Sequence, residues 1–491
     1  MARNSSVTFH VSRSRPGDDL PGVRWRTCMG RMGSTMGRAG LLGLGLLIAG
    51  NVHADLLTAE RAVQLALRNN SRVIGAEASV LDARSSLYGS YSGIVPRFSA
   101  SLTRQGAWTK NNVGNSAFGG VVFPTRTTFT DESYATSPTI TGSWSVLDLS
   151  TFAGWRSASR GLQAARQSRQ SIRNDVALAA RRQFYEVVGD VRLAQVSDEA
   201  VRLARNDERR VRALFEVGSV SRSDLLKAQV RTAQSELDSL TAHQTVTVQR
   251  INLAILLGLR EESMGEVDTI LTAEPISIDE AGLVTEAAKN RPDLMATDAE
   301  LAAARSGLTS AHMLRAPYVT VGAQATFNST NSSKFDTPQQ DPLTQQEIPG
   351  TRVTNNTQSK TDRTIGGRVA LNWDFFDALA TDSRVAAARA RLLRAQDARN
   401  ALHRNLESEV HEAVLTYREA VAREGVARRA LESATENLKL TQEKYNVGSA
   451  TILDLIDAQV QLQRAQSDVV SALAAIRVAE AQLNRVRGRA Q

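Results

Sequence analysis

Four segments of the chain alternate between apolar and polar side chains. The clearest runs from Val319 to Phe327, where valine, alanine and phenylalanine alternate with threonine, glycine and glutamine. A period of two residues predicts a β-strand with one apolar face and one polar face. The predicted strands cover about residues 96–108, 138–147, 317–328 and 364–374.

Each predicted strand has about the 9 to 11 residues of an outer-membrane barrel strand. Ordinary hairpins of a soluble domain are the alternative for any single strand, but four matched strands behind the export signal described below favour the membrane interpretation. Four strands leave open edges, whereas a barrel must be closed, so several chains must share one barrel. Polar, turn-rich segments at residues 110–136 and 329–362 are expected to be long loops at the hairpin tips.

Almost all of the remaining chain is expected to be helical. Residues 150–217 and 379–447 contain no proline, and at ~1.5 Å per residue each could form a rod of roughly 100 Å. The chain is 42% hydrophobic but only 5% aromatic, which suits long helices packed through small side chains. Soluble globular domains rarely need helices of this length, whereas a tube across the periplasm does.

The chain is also an internal duplication. The stretches "FEVGSVSRSDLL" and "YNVGSATILDLIDA" place Gly218 and Gly448 at equivalent positions, 230 residues apart. This period divides the mature chain into a first repeat, residues 55–258, and a second repeat, residues 275–488. In each repeat we expect the glycine to end one long helix and an aspartate, Asp224 or Asp454, to open the next. The repeated stretch is therefore predicted to be the tip of a helical hairpin.

The N-terminal 54 residues have the features of a secretory signal. An arginine-rich approach leads to the apolar run "GLLGLGLLIAG" and then to the small-residue site "VHA", with predicted cleavage after Ala54. The run is shorter than the roughly 20 residues of a membrane anchor, which is the alternative. Seven arginines and only two aspartates precede residue 55, so the formal net charge of +8 resides largely in the leader and does not indicate a nucleic-acid partner.

Cysteine chemistry is excluded from the mature chain, because the single cysteine, Cys28, lies in the leader. Beyond Ala54 no apolar run reaches the roughly 18 residues of a spanning helix, so entry into a membrane would require a β-barrel. The sequence has no nucleophile elbow, metal-ligand spacing or phosphate loop outside the leader. We therefore expect no enzymatic activity, no cofactor and no metal site. The histidines, among them His243 and His411, are expected to be ordinary helix residues.

Taken in order, these features resemble the TolC family of outer-membrane efflux channels. The resemblance covers residues 55–491 and is supported by "NRPDL" at Asn290 to Leu294, by "NNSRV" at Asn69 to Val73, and by the pairs Trp144/Asp148 and Trp373/Asp377. We expect the two tryptophans to lie at the membrane interface or in strand-to-helix packing.

The resemblance implies a mainly α protein with β-strands. Three chains would each contribute four strands to one outer-membrane β-barrel, continued into the periplasm by a long coiled-coil α-helical barrel. It further implies a passive exit duct in a tripartite efflux or type I secretion system, with a periplasmic adaptor, an inner-membrane transporter and outer-membrane lipid as partners. A periplasmic adaptor-like coiled-coil protein is the alternative function, since adaptors also have a long helical hairpin.

The two tip aspartates have a structural interpretation that needs no resemblance. Ser221 and Asp224, like Thr451 and Asp454, have the spacing of a capping box, in which an acid in the first turn stabilises the helix. Asp457 lies one turn after Asp454 on the same helix face, and capping does not explain it. In the first repeat the position equivalent to Asp457 is occupied by Lys227.

The resemblance assigns gating roles to these residues. It implies that Asp454 and Asp457 form rings at the periplasmic constriction, and that Tyr445 ties to Asp224 in the closed state. An arginine present in some family members would fall at Ala450 and is absent. Either the tether is weaker here or Arg222 takes its place.

Overall fold

The computed structural model describes residues 56–113, 116–118, 121–123, 127–273, 276–336, 344, 346 and 356–489. The predicted signal segment, residues 1–54, lies outside the described residues. Within the described part of the chain, no helix combines the length and the apolar character needed to cross a membrane.

One arrangement of elements occurs twice along the chain: two short helices, two strands, one very long helix and one shorter helix. The first set is α1 (Ala59–Asn69), α2 (Ser71–Tyr91), β1 (Arg97–Val113), β4 (Thr127–Leu147), α3 (Leu149–Glu216) and α4 (Arg222–Leu257). Two short strands, β2 (Ser116–Phe118) and β3 (Val121–Phe123), pair with each other between β1 and β4. The second set is α5 (Glu280–Asn290), α6 (Pro292–Met313), β5 (Tyr318–Asp336), β6 (Asn356–Asn372), α7 (Ala380–Asn446) and α8 (Ile452–Val486).

The four long strands form one antiparallel sheet in the order β1, β4, β5, β6. The central pair, β4 and β5, joins the two repeats. Among the described residues, no strand pairs with the outer edge of β1 or of β6. The expectation of a mainly helical chain with four matched strands is therefore confirmed.

The two faces of the sheet differ in chemistry. One face is apolar, and six of its residues are each more than 70% exposed. These are Phe98, Leu102, Trp108, Ile365, Val369 and Leu371. The opposite face carries mostly serine, threonine and glutamine, for example Ser99 and Thr141, whose hydroxyl oxygens lie 2.7 Å apart. The sheet thus presents a broad apolar surface that nothing in the described part of the chain covers.

The strands extend beyond the predicted bounds. β4 begins at Thr127 and passes through Pro138, which the alternation had suggested as a strand start. Ser137 and Pro138 have no partner in β5, as expected around a proline, which has no backbone N–H to donate. The segment 110–136, predicted to be a loop, contains strand residues of β1 and β4 and the short pair β2 and β3. The alternation fades there because both faces become polar, while the backbone ladder continues.

Tryptophan and aspartate fix the junctions between strands and long helices. The indole N–H of Trp144 donates to the carbonyl of Ile94 over 2.7 Å, and that of Trp373 donates to the carbonyl of Arg315 over 3.1 Å. Asp148 caps α3 by accepting hydrogen bonds from the backbone and hydroxyl groups of Ser150 and Thr151. Although burial opposes it, these hydrogen bonds lower the pKa of Asp148.

The two repeats bury similar cores where their short helices meet the long ones. In the first repeat, α1, α3 and α4 contribute; in the second, α5, α7 and α8 contribute. "NRPDL" is part of this construction: Pro292 begins α6, and the almost fully buried Arg291 forms ion pairs with Asp293 and Glu409. In the first repeat, Asn70 instead donates to the carbonyl of Leu256 over 2.9 Å.

Candidate functional site

The candidate site lies at the tips of the two helical hairpins, α3 with α4 and α7 with α8. Gly218 and Gly448 both have φ of +77°, a left-handed conformation that favours glycine. In each turn the backbone N–H of the glycine and that of the next residue donate to carbonyl groups at the end of the long helix. The N–H of Ser219 donates to the carbonyl of Leu214 over 2.8 Å, and the N–H of Ser449 donates to the carbonyl of Lys444 over 2.9 Å. This is the Schellman pattern, and it ends both helices at the same point of the repeat.

Both tip aspartates act as capping groups. Asp454 forms a full capping box with Thr451, whose backbone N–H and hydroxyl donate to its carboxylate over 2.8 and 2.7 Å. Asp224 accepts a hydrogen bond from the Ser221 hydroxyl over 2.7 Å and forms an ion pair with Lys227 over 3.2 Å. The pKa of Asp454 is lowered by its hydrogen bonds from Thr451, and that of Asp224 by those from Ser221 and Lys227.

The charge at the two tips differs. Asp454 and Asp457 are both exposed on α8, one turn apart, and Asp457 accepts a hydrogen bond from the Gln461 amide over 2.6 Å. In the first repeat, Lys227 neutralises Asp224. Asp454 and Asp457, the two residues that the resemblance places at the constriction, are therefore two neighbouring exposed carboxylates on one helix.

A small hydrophobic cluster packs the two tips against each other. Its buried members are Val211 on α3, Ala228 on α4, and Ile452 and Leu455 on α8. Tyr445, on α7, packs against its edge and is half-buried. The four long helices therefore converge at the tip within one chain.

The structure brings Tyr445 into the electrostatic field of Asp224 without a hydrogen bond between them. Burial raises the pKa of Tyr445, and the charges of Asp207 and Asp224 raise it further. In the described part of the chain, no hydrogen bond joins Tyr445 to Asp224, whose carboxylate is held by Ser221 and Lys227. Arg222 is exposed at the start of α4. The closed-state tether stays a prediction.

A polar contact that no sequence pattern predicted joins the two hairpins just above the tip. Asp207, on α3, accepts a hydrogen bond from the amide of Gln459, a buried residue on α8. Burial raises the pKa of Asp207. A second link runs from Arg231 on α4 to Gln463 on α8 over 3.0 Å. One signal was available: Gln459 is conserved between the two repeats as Gln229, a polar residue kept where the neighbouring positions are apolar.

Comparisons with known proteins agree with this architecture. Residues 283–489 match the family model for outer membrane efflux proteins. The outer membrane channel CmeC of Campylobacter jejuni superimposes with a TM-score of 0.70 at 16% identity, over 88% of this chain and 85% of that chain. The outer membrane protein VceC of Vibrio cholerae gives a TM-score of 0.66 at 16% identity, over 88% and 96%. The resemblance to outer-membrane efflux channels is confirmed.

A curated relative also matches part of the chain. Nodulation protein T of Rhizobium leguminosarum bv. viciae is 25% identical over 264 residues, which are 52% of this chain and 49% of that protein. The alignment thus spans about half the length of this relative. The fold is shared with outer membrane channel proteins.

Proposed function

We propose that three copies of this chain form an exit duct in the outer membrane, which passively conducts substrate delivered by an inner-membrane pump. The observation that carries the proposal is the four-stranded sheet with one exposed apolar face, joined directly to two very long helical hairpins. The match to outer membrane efflux proteins supports the same conclusion.

The apolar face of the sheet explains how the chain would be embedded in a membrane. Large side chains such as Leu102 and Ile365 are exposed on one face only, while hydroxyl and amide groups occupy the other. Burying the apolar face in lipid removes it from water, and the polar face then lines an aqueous lumen. Trp108 and Trp373, near opposite ends of the strands, are suited to the two membrane interfaces.

The unpaired outer edges of β1 and β6 explain why several copies of the chain would assemble. In lipid, the unpaired backbone groups of β1 and β6 need partners, because water is absent there. Another copy of the chain offers a matching edge, and three copies give twelve antiparallel strands, an even number as in other barrels of this kind. The long helices of three copies would continue this barrel into the periplasm.

The tip would form the gate. Three copies of Asp454 and Asp457 place six carboxylates around a narrow opening, which attracts cations. In the closed state we propose that Tyr445 ties to Asp224 and that Arg222 serves in place of the arginine missing at Ala450. The exposed tips face the side where a periplasmic adaptor and an inner-membrane transporter would dock. The leader would be removed after Ala54.

The proposal is tested by localisation, mass and conductance. We expect the chain in outer-membrane fractions, released only by detergent, with the protein mass of three chains and with channel activity in planar lipid bilayers. The adaptor-like alternative predicts a protein without conductance that is not embedded in the outer membrane. A protein that is soluble after lysis, or a detergent-solubilised particle with the mass of one or two chains, would overturn the proposal.

A further inference from the structure

The polar face of the sheet carries two arginines close to its helical end. Arg97 on β1 and Arg368 on β6 lie on one cross-strand row, which passes through Ser143 and Gly322. Both arginines are exposed, and neither forms an ion pair or a hydrogen bond with another described residue. Two guanidinium groups on one face are thus available to a ligand.

Among the described residues, no carboxylate on this face lies near the two arginines. Along the described part of β6, the first acid on the same face is Asp362, six residues from Arg368 and therefore about 20 Å away. Asp362 is paired with Lys360 over 3.1 Å, and the separation exceeds the Debye length of about 10 Å at 0.1 M salt. In the other direction, the carboxylates of Asp148 and Asp374 lie beyond the strand ends. The positive charge is therefore unopposed at close range.

Hydrogen-bond donors surround Arg368. A groove of about 470 Å³ runs along the polar face beside it, lined by the side chains of Thr141, Ser143, Gln324 and Thr364. Gly322 and Gly366 lie in the floor of the groove, and a Cβ at Gly366 would meet no atom within 4 Å. The glycines leave open space beside the guanidinium, and the hydroxyl and amide groups can donate to an oxyanion placed there.

We propose that this groove is an anion-binding site in the lumen, and that Arg368 and Arg97 form a collar that favours cargo with a carboxylate, sulfate or phosphate group. The inference rests on the proposed function, since the polar face lines a lumen only in the assembled barrel. Three chains would then present six guanidinium groups, and rings of arginine select anions in other pores. The acidic tip and the basic collar lie at different levels of the duct: the tip at its periplasmic end, and the collar where the strands join the long helices.

Block by inorganic phosphate tests the site. Purified wild-type trimers are inserted into planar bilayers, and phosphate is added on the side of the strand loops, so that it reaches the collar without passing the tip. We expect phosphate to reduce the current, and we expect Arg368→Gln to weaken this block at least several-fold. The double substitution Arg97→Gln/Arg368→Gln should weaken it further and shift the reversal potential in a salt gradient towards cation preference.

Two control variants make the outcome decisive. Lys360→Gln removes a positive charge from the same face near the far end of the strand and should leave phosphate block unchanged. Arg368→Lys keeps the charge and should retain the ion preference. If wild-type trimers conduct but the double variant has unchanged phosphate block and reversal potential, the collar is refuted while the duct stands. If wild-type protein forms neither trimers nor channels, the proposed function itself fails.

Discussion

At the scale of single residues, each hairpin tip is held by a hydroxyl and a carboxylate three residues apart. Ser221 with Asp224, and Thr451 with Asp454, form the capping hydrogen bonds that this spacing predicts. The contact between Asp207 and Gln459 joins residues 252 positions apart. No local pattern specifies such a pair, because it depends on how two hairpins pack.

Asp457 offers the sharpest test of the gate. Asp457→Asn should weaken cation preference and block by divalent cations, because it removes one of two carboxylates from each tip without removing a cap. Planar-bilayer recordings measure both quantities. Asp468→Asn is the matched control, an exposed acid three turns further along the same face of α8. Equal effects of the two substitutions, or no effect of either, would remove Asp457 from the constriction.

The contact between Asp207 and Gln459 should stabilise the tip only as a pair. Gln459→Leu leaves the half-buried carboxylate of Asp207 without its donor, which costs about 1 kcal/mol, the lower end of the range for a fully buried group. We expect a lower melting temperature by circular dichroism in detergent. The double variant Asp207→Leu/Gln459→Leu should recover most of the loss, since replacing both partners with apolar groups is nearly neutral. A double variant as unstable as the sum of its single variants would show that the two residues act independently.

At the scale of elements, the helices were easier to predict than the strands. The bounds of α3 and α7 follow from two sequence features: each helix contains no proline, and each is followed by a glycine in a left-handed turn. The two helices have 68 and 67 residues. The strands were predicted too short because the alternation of apolar and polar residues marks only the part of a strand that has one apolar face. Beyond that apolar band the same strands continue as hydrogen-bonded ladders of polar residues, as in β4 from Thr127 onwards.

The junction between β4 and α3 should depend on pH through Asp148. Because the folded-state pKa of Asp148 is lowered, its contribution is present above the ordinary value of about 3.9 and is lost as pH falls through the folded-state pKa. Asp148→Ala should cost about 0.5–2 kcal/mol at neutral pH, whereas Asp148→Asn keeps a capping group. Thermal unfolding at pH 7 and pH 3 measures this. The difference in stability between wild type and the Asn variant should shrink at pH 3, and an unchanged difference would argue against the cap.

At the scale of the whole molecule, the duplication and the open edges were visible in the sequence, but the way the repeats join was not. Both repeats supply two strands, and β4 pairs with β5 over most of its length. That pairing depends on the register between two segments more than 170 residues apart, which alternation does not encode. Both strand pairs have one apolar face, so the alternation alone is compatible with several strand orders.

The outer edges of the sheet give a direct test of assembly. Within one chain, β1 and β6 are separated by two strands, so three spacings of about 4.8 Å place them about 14 Å apart. A disulfide needs Cα atoms within about 7 Å. Cysteines placed on the polar face at Ser99 in β1 and, in turn, at Thr364, Gly366 and Ala370 in β6 can therefore react only between copies, in a Cys28→Ser background. We expect at least one pair to give covalent dimers and trimers on non-reducing gels.

The matched control uses two strands that are neighbours within the chain. Ser99 and Thr141 are direct partners in the β1 and β4 ladder, so Ser99→Cys with Thr141→Cys should close a disulfide inside one chain and leave the monomer band. Covalent trimers require that both edges of every chain meet a neighbour, whereas a two-fold dimer would join only one edge of each chain and stop at dimers. A closed ring of three chains would be ruled out if the largest cross-linked species under full oxidation were a dimer. It would also be ruled out if none of the three β6 positions gave a cross-link while the control pair reacted.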